Sequence, residues 1–194
     1  KIYINYTYNI MTLTKTPICN FGEKANNFSL LSTDNQMTSL EDIKGKKGTL
    51  IMFICNHCPY VKAIIKDIVK DAKYFKSIGI NSAAIMSNDT INYPEDSFDN
   101  MIKFKKQHDF DFPYLIDKDQ QIAKKYGAVC TPDFFAYNSN LELQYRGRIR
   151  ELKDLKPITT GDSELKNAMD SIASTGKGPQ NQNPSMGCNI KWFN

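Results

Sequence analysis

The chain predicts an α/β protein built on a mixed sheet covered on both faces, and three observations carry that reading. Residues 48–54 form a continuous apolar run, short and rich in β-formers, as in a strand buried on both sides. Directly after it, Val61, Ile64, Ile65, Ile68, Val69, Ala72 and Phe75 recur at helical spacing. Strand and helix signals then alternate until residues 134–137 and 141–146 flank Asn138, Ser139 and Asn140 as a closing hairpin.

The remaining elements follow in order. Residues 28–31 and 37–40 flank the turn-rich Thr33-Asp34-Asn35 and predict an N-terminal hairpin. Residues 39–43 suit one helical turn stopped by Gly45, and Ile80 to Met86 is a second buried strand after Gly79. Asn92 and Glu95 have capping-box spacing with Pro94 in the first turn, predicting a helix to about His108 with Phe98, Met101 and Ile102 inward. Residues 112–116 make a short strand. Asp117 caps a brief helix carrying Ile122, Ala123 and Tyr126, ended by Gly127. Leu165, Ala168, Met169 and Ile172 mark the last helix. The organisation is one domain over 17–175, an extension at 1–16 in which Met11 is a candidate natural start, and a polar Gly/Pro-containing tail over 176–194 that packs on the domain.

With 194 residues, 41% hydrophobic and 24% charged, the chain is long enough for a full core and has an ordinary globular composition. A net charge of +4 with scattered lysines gives no basic stripe for nucleic acid. No apolar run approaches the ~18 residues of a membrane span, and residues 1–10 lack the apolar core of a signal peptide. Five cysteines, an odd number without framework spacing, point to a reducing, cytoplasmic setting with one functional pair.

That pair is Cys55 and Cys58 in Cys55-Asn56-His57-Cys58-Pro59, at the junction of the buried strand and the long helix. Two sulfurs at a helix N-terminus meet unpaired N–H groups and the positive end of the dipole, which favour a thiolate. In a βαβ context this reads as a dithiol redox site. Two other readings stand beside it: buried cysteines as small hydrophobes, and a metal- or partner-binding module using Cys55, Cys58 and His57. Structural zinc takes four N/S ligands, and the other cysteines and His108 form no second pair.

Four stretches resemble the thioredoxin superfamily, and within it the peroxiredoxin-like group related to alkyl hydroperoxide reductase and thiol-specific antioxidant proteins. They are residues 22–28, residues 53–59, Tyr126-Gly127-Ala128-Val129-Cys130-Thr131-Pro132, and Tyr145-Arg146-Gly147-Arg148; the tail at 184–192 adds to the likeness, which runs from Pro17 to the C-terminus. The resemblance implies a thioredoxin-like fold with an N-terminal hairpin, and a cis bond at Thr131–Pro132 facing the redox cysteines, where spacing alone reads as a trans proline. The resemblance fixes fold more than activity; the redox reading itself needs only thiol chemistry, without an organic cofactor or metal, acting on protein or small-molecule thiols and disulfides with a reducing partner.

Two mechanisms compete within that likeness. In the thioredoxin type, Cys55 is the exposed nucleophile and Cys58 resolves the mixed disulfide, with His57 stabilising a thiolate when protonated or standing in solvent without a role. In the peroxidase type, Cys58-Pro59 aligns with the peroxidatic Cys-Pro, Pro59 opening the helix. The latter pattern is broken: Ile51 stands where the family keeps proline, Cys55 where it keeps threonine, and the only arginines are Arg146, Arg148 and Arg150 in the second hairpin. The first has a gap too, because the buried strand carries no acid, and Asp133 after the proline reads as a surface residue. Cys130 reads as a core cysteine near the site, and Cys188 as either an inert tail cysteine or a resolving thiol.

Overall fold

The computed structural model describes residues 12–193. Residues 1–11 of the expected extension lie outside them, and so does Met11. In chain order the elements are β1 (Leu13–Lys15), β2 (Ser29–Ser32), β3 (Met37–Ser39), α1 (Leu40–Ile43), β4 (Gly48–Phe53), α2 (Pro59–Ser77) and β5 (Ile80–Met86). A 3₁₀ turn (Pro94–Asp96) precedes α3 (Phe98–Gln107), β6 (Tyr114–Ile116), α4 (Gln121–Tyr126), β7 (Cys130–Thr131), β8 (Asp133–Asn138) and β9 (Leu143–Tyr145). The chain ends with β10 (Leu152–Lys153), β11 (Lys156–Pro157), α5 (Glu164–Thr175) and β12 (Met186–Asn189).

The main sheet has the order β3-β2-β6-β5-β4-β8-β9. Its centre is the apolar run: β4 lies parallel to β5 and antiparallel to β8. A strand alternates its side chains between faces, so one unbroken apolar run feeds two cores. Leu50, Met52 and Ile54 pack with Ile64, Ile68 and Phe75 of α2, Met101 and Phe104 of α3, and Leu165 and Met169 of α5. Ile51 and Phe53 pack on the opposite face with Leu40 and Ile43 of α1 and Ile122, Ala123 and Tyr126 of α4. The result is an α/β thioredoxin-like fold, a mixed sheet flanked by helices.

Local chemistry explains most boundaries. Ser39 and Asp42 form a reciprocal capping box on α1. Asp117 lies outside α4, yet its two carboxylate oxygens accept from the Ile122 and Ala123 N–H groups. Residues 92–97 correct the sequence reading. Asn92 does not cap a helix: its side chain and N–H bond Asp89, the chain makes the short 3₁₀ turn, and α3 starts after Ser97. Met101 is inward as expected and Phe104 joins it in the core, while Ile102 is 38% exposed instead of inward.

A second sheet, β1-β12-β7, is built from the two ends of the chain and the segment before Pro132. Leu13 pairs with Cys188 on one side, and Cys188 pairs with Thr131 on the other. The tail is seated by further bonds: Ser185 Oγ donates to Pro132 O at 2.8 Å, Lys191 N to Asn88 Oδ1 at 2.9 Å, and Gln120 Nε2 to Lys191 O at 2.8 Å.

Candidate active site

Pro59 is the first residue of α2 and Cys58 its N-cap, so the Cys58 sulfur stands at the positive end of a 19-residue helix. Cys55 lies two residues after β4, in the loop that leads to Cys58. The Thr131–Pro132 peptide is cis and lies against both. The Thr131 carbonyl accepts from Cys58 Sγ at 3.1 Å, and Thr131 Oγ1 is 3.4 Å from Cys55 Sγ. The third sulfur comes from the tail, with Cys188 Sγ 2.9 Å from Cys58 Sγ. Cys130 is also buried, but its thiol turns to Pro132 O at 3.6 Å.

All three clustered sulfurs are sealed: Cys55, Cys58 and Cys188 are 1%, 0% and 2% exposed. This overturns the expectation of Cys55 as an exposed nucleophile, because the tail strand and the 131–132 segment cover the helix end. The electrostatics separate the thiols. Cys58 is lowered, first by the Cys188 thiol and then by Cys55, with the Val61 and Cys188 amides adding to them, while burial opposes. The neighbouring thiols outweigh the Val61 amide of the first helical turn. Cys55 is raised, by burial first, and Cys188 is raised chiefly by Cys58. Burial also raises Cys130.

Beneath Cys55 sits an acid that local sequence pattern did not reveal. Asp96, fully buried, approaches His57 Nδ1 to 2.6 Å and accepts from the Asn56 and His57 N–H groups at 2.8 and 3.2 Å. Asn88 Nδ2 donates to it at 2.8 Å. The His57 ring stacks on Tyr93 with centroids 5.8 Å apart, and its Nδ1 is 3.9 Å from Cys55 Sγ. His57 is therefore an anchored ring whose pKa is raised, chiefly by the Asp96 hydrogen bond, and not a loop residue standing in solvent. His108 packs instead on Phe104 and Phe110.

Asp133 is likewise not a surface residue. It is fully buried, and Arg146 Nη2 donates to it at 2.9 Å while the guanidinium lies over Phe135 at 4.3 Å. Burial raises its pKa and Arg146 offsets part of that. Arg148 pairs with Glu164 and Glu151, and Arg150 with Asp67. All three arginines are thus committed to carboxylates. A cleft of about 250 Å³ flanks the tail, lined among others by Lys15, Tyr60, Phe134, Arg148, Ser185 and Met186.

Cys55 Sγ, His57 Nδ1 and an Asp96 oxygen lie within 4.8 Å of one another. These are three donors where structural zinc takes four. The Asp96 oxygens are already occupied by three N–H donors and the imidazole, so the cluster is organised as a hydrogen-bond network.

A cis-proline segment laid across a helix-capping cysteine, on this sheet order, defines a thioredoxin-like protein with a thiol site. The chain belongs to the AhpC/TSA family, which it matches over residues 21–152. It resembles the crystal structure of an uncharacterized conserved protein of Geobacillus kaustophilus, with 38% identity and TM-score 0.89 over 94% of this chain and 97% of that one. It is 28% identical over 123 residues to the thiol-disulfide oxidoreductase ResA of Bacillus thuringiensis, covering 63% of this chain and 66% of that protein's length, slightly under two thirds. The thioredoxin domain of a Bacteroides vulgatus thiol-disulfide oxidoreductase shares the fold, with TM-score 0.56 and 16% identity over 65% of this chain and 86% of that one.

Proposed function

We propose that this chain is a thiol–disulfide oxidoreductase acting through Cys58 and Cys55. The observation that carries the reading is a cysteine at the α2 N-terminus, opposite the cis Thr131–Pro132 bond, whose pKa is lowered while Cys55 beside it is raised. A thiolate is the nucleophile in disulfide exchange. Cys58 is therefore the attacking sulfur, and Cys55 holds its proton until the mixed disulfide has formed. Cys55 then attacks the Cys58 sulfur and the substrate thiol leaves. His57, anchored by Asp96, holds its Nδ1 3.9 Å from Cys55 Sγ and is the charged group beside that sulfur as its proton leaves.

The substrates are protein or small-molecule disulfides that reach the sealed sulfurs as the tail beside the Tyr60 cleft opens, and a dithiol partner restores the reduced pair in a reducing compartment. No helix among the described residues is long and apolar enough to cross a membrane. A peroxidase reading shares the lowered Cys58 but lacks its transition-state donors. The arginines are held by Asp133, Glu164, Glu151 and Asp67, and the position expected to carry a hydroxyl is Cys55.

The test is dithiothreitol-driven reduction of insulin disulfides by the purified chain. Wild type accelerates it, and Cys58→Ser abolishes the acceleration. If mild oxidation with oxidised glutathione leaves every thiol open to alkylation, the reading fails. Stopped-flow detection of rapid sulfenic acid formation at Cys58 with hydrogen peroxide would reverse the order of the two enzymes.

A further inference from the structure

Two independent features of the tail bear on Cys58. The first is the sulfur contact: Cys188 Sγ is 2.9 Å from Cys58 Sγ, and a disulfide needs about 2.05 Å, so bonding asks for less than ~1 Å of movement. The second is the residue before it. A Cβ on Gly187 would sit 1.9 Å from the Thr131 oxygen, 2.6 Å from its carbonyl carbon and 3.0 Å from Pro132 Cδ. Only glycine lets the tail lie directly on the 131–132 peptide, and that approach sets Cys188 opposite Thr131 in the β-pairing. The tail is thus built to deliver a thiol to Cys58.

We propose that Cys188 is a third redox thiol of this site, and that oxidation joins it to Cys58, cross-linking β12 to the N-terminus of α2. The proposal rests on the reading above that Cys58 exchanges with disulfides. In the first step the Cys58 thiolate attacks a substrate disulfide R–S–S–R, forming Cys58–S–S–R and releasing RS⁻. In the second, Cys188 loses its proton and attacks the Cys58 sulfur, and the second RS⁻ leaves. In sum, two cysteine thiols give up two electrons and two protons, one disulfide forms, and the substrate becomes two RSH. Cys55 can then attack Cys58 and expel Cys188 without further redox change, so Cys58 serves as the exchange point between a CxxC pair and a tail pair. With all three sulfurs buried, exchange with an outside disulfide passes through local opening of the tail.

Trypsin makes the two products distinguishable. Cys55 and Cys58 lie together in the peptide 48–62, and Cys188 lies in 178–191. The reduced full chain is equilibrated with oxidised glutathione, its thiols are blocked, and it is digested and weighed. The expected result is a cross-link between the two peptides in wild type and in Cys55→Ser, absent in Cys58→Ser. Cys188→Ser should keep only the bond within 48–62, with its equilibrium against glutathione moved at least tenfold. Gly187→Ala, which retains all three thiols, should lose most of the cross-link while circular dichroism shows the fold intact. If wild type yields only the bond within 48–62 and Cys188→Ser shares its equilibrium, the third-thiol proposal is overturned while the oxidoreductase reading stands. If neither wild type nor Cys188→Ser forms any disulfide, both fall.

Discussion

At the residue scale one buried carboxylate organises the loop beside Cys55. Asp96 gathers two backbone N–H groups, an asparagine amide and an imidazole, and so holds His57 Nδ1 3.9 Å from Cys55 Sγ. The consequence for titration has a definite sign. The folded pKa of His57 is raised, so the stability it lends is fully present below its ordinary value of 6.5 and is lost as pH rises through the raised value. An NMR titration should place His57 above 6.5, and Asp96→Asn should bring it down; an unmoved value in the variant would remove Asp96 as the cause. Asp96 was invisible in the sequence for a simple reason. It lies 40 residues from Asn56, in a turn that reads as an exposed helix start, and only the fold turns it inward.

At the element scale, β12 decides who reaches the sulfurs. Its seat on Thr131 and Pro132 depends on Gly187, and Ser185, Ile190 and Lys191 fasten it on either side of that contact. Native-state alkylation of Cys58 by iodoacetamide should therefore be slow compared with the unfolded chain, and Gly187→Ala should accelerate it at least several-fold. Equal rates in the two native proteins would mean that the tail is not what seals the site. The pairing partner of the tail was not legible in the sequence. Strand pairing between residues 131 and 188 has no local sequence signature, because three or four residues of extended chain fit many edges. Helix α3 shows the same limit: its apolar spacing was readable, while its start moved once Asp89 and Asn92 satisfied each other.

At the scale of the whole molecule, two buried features set stability. Arg146 and Asp133 pair beneath the second hairpin, and Arg146→Ala leaves a buried carboxylate alone, which costs about 3–5 kcal/mol. Urea unfolding would measure it, and replacing both partners by apolar residues should recover much of the loss. The Cys58–Cys188 bond, if formed, closes a loop 130 residues apart in sequence and should stabilise the oxidised chain by about 4–5 kcal/mol through the unfolded state. A Cys55–Cys58 bond closes almost nothing. Comparing the urea midpoints of reduced and oxidised wild type and Cys188→Ser separates the two.

The sequence by itself determined the sheet's centre and the Cys-Pro at its junction with the long helix. An unbroken apolar run alternating into two cores, a 3.6-period stripe behind it and a Cys-Pro at their junction are local patterns, set by backbone geometry and the burial of apolar surface. Only the tertiary structure decided which sulfurs meet, that they are sealed from solvent and where the acid lies. Cys188, Asp96 and Asp133 reach the site or its floor from distant segments, and their pKa shifts come from burial and neighbours that exist only once the chain has closed on itself.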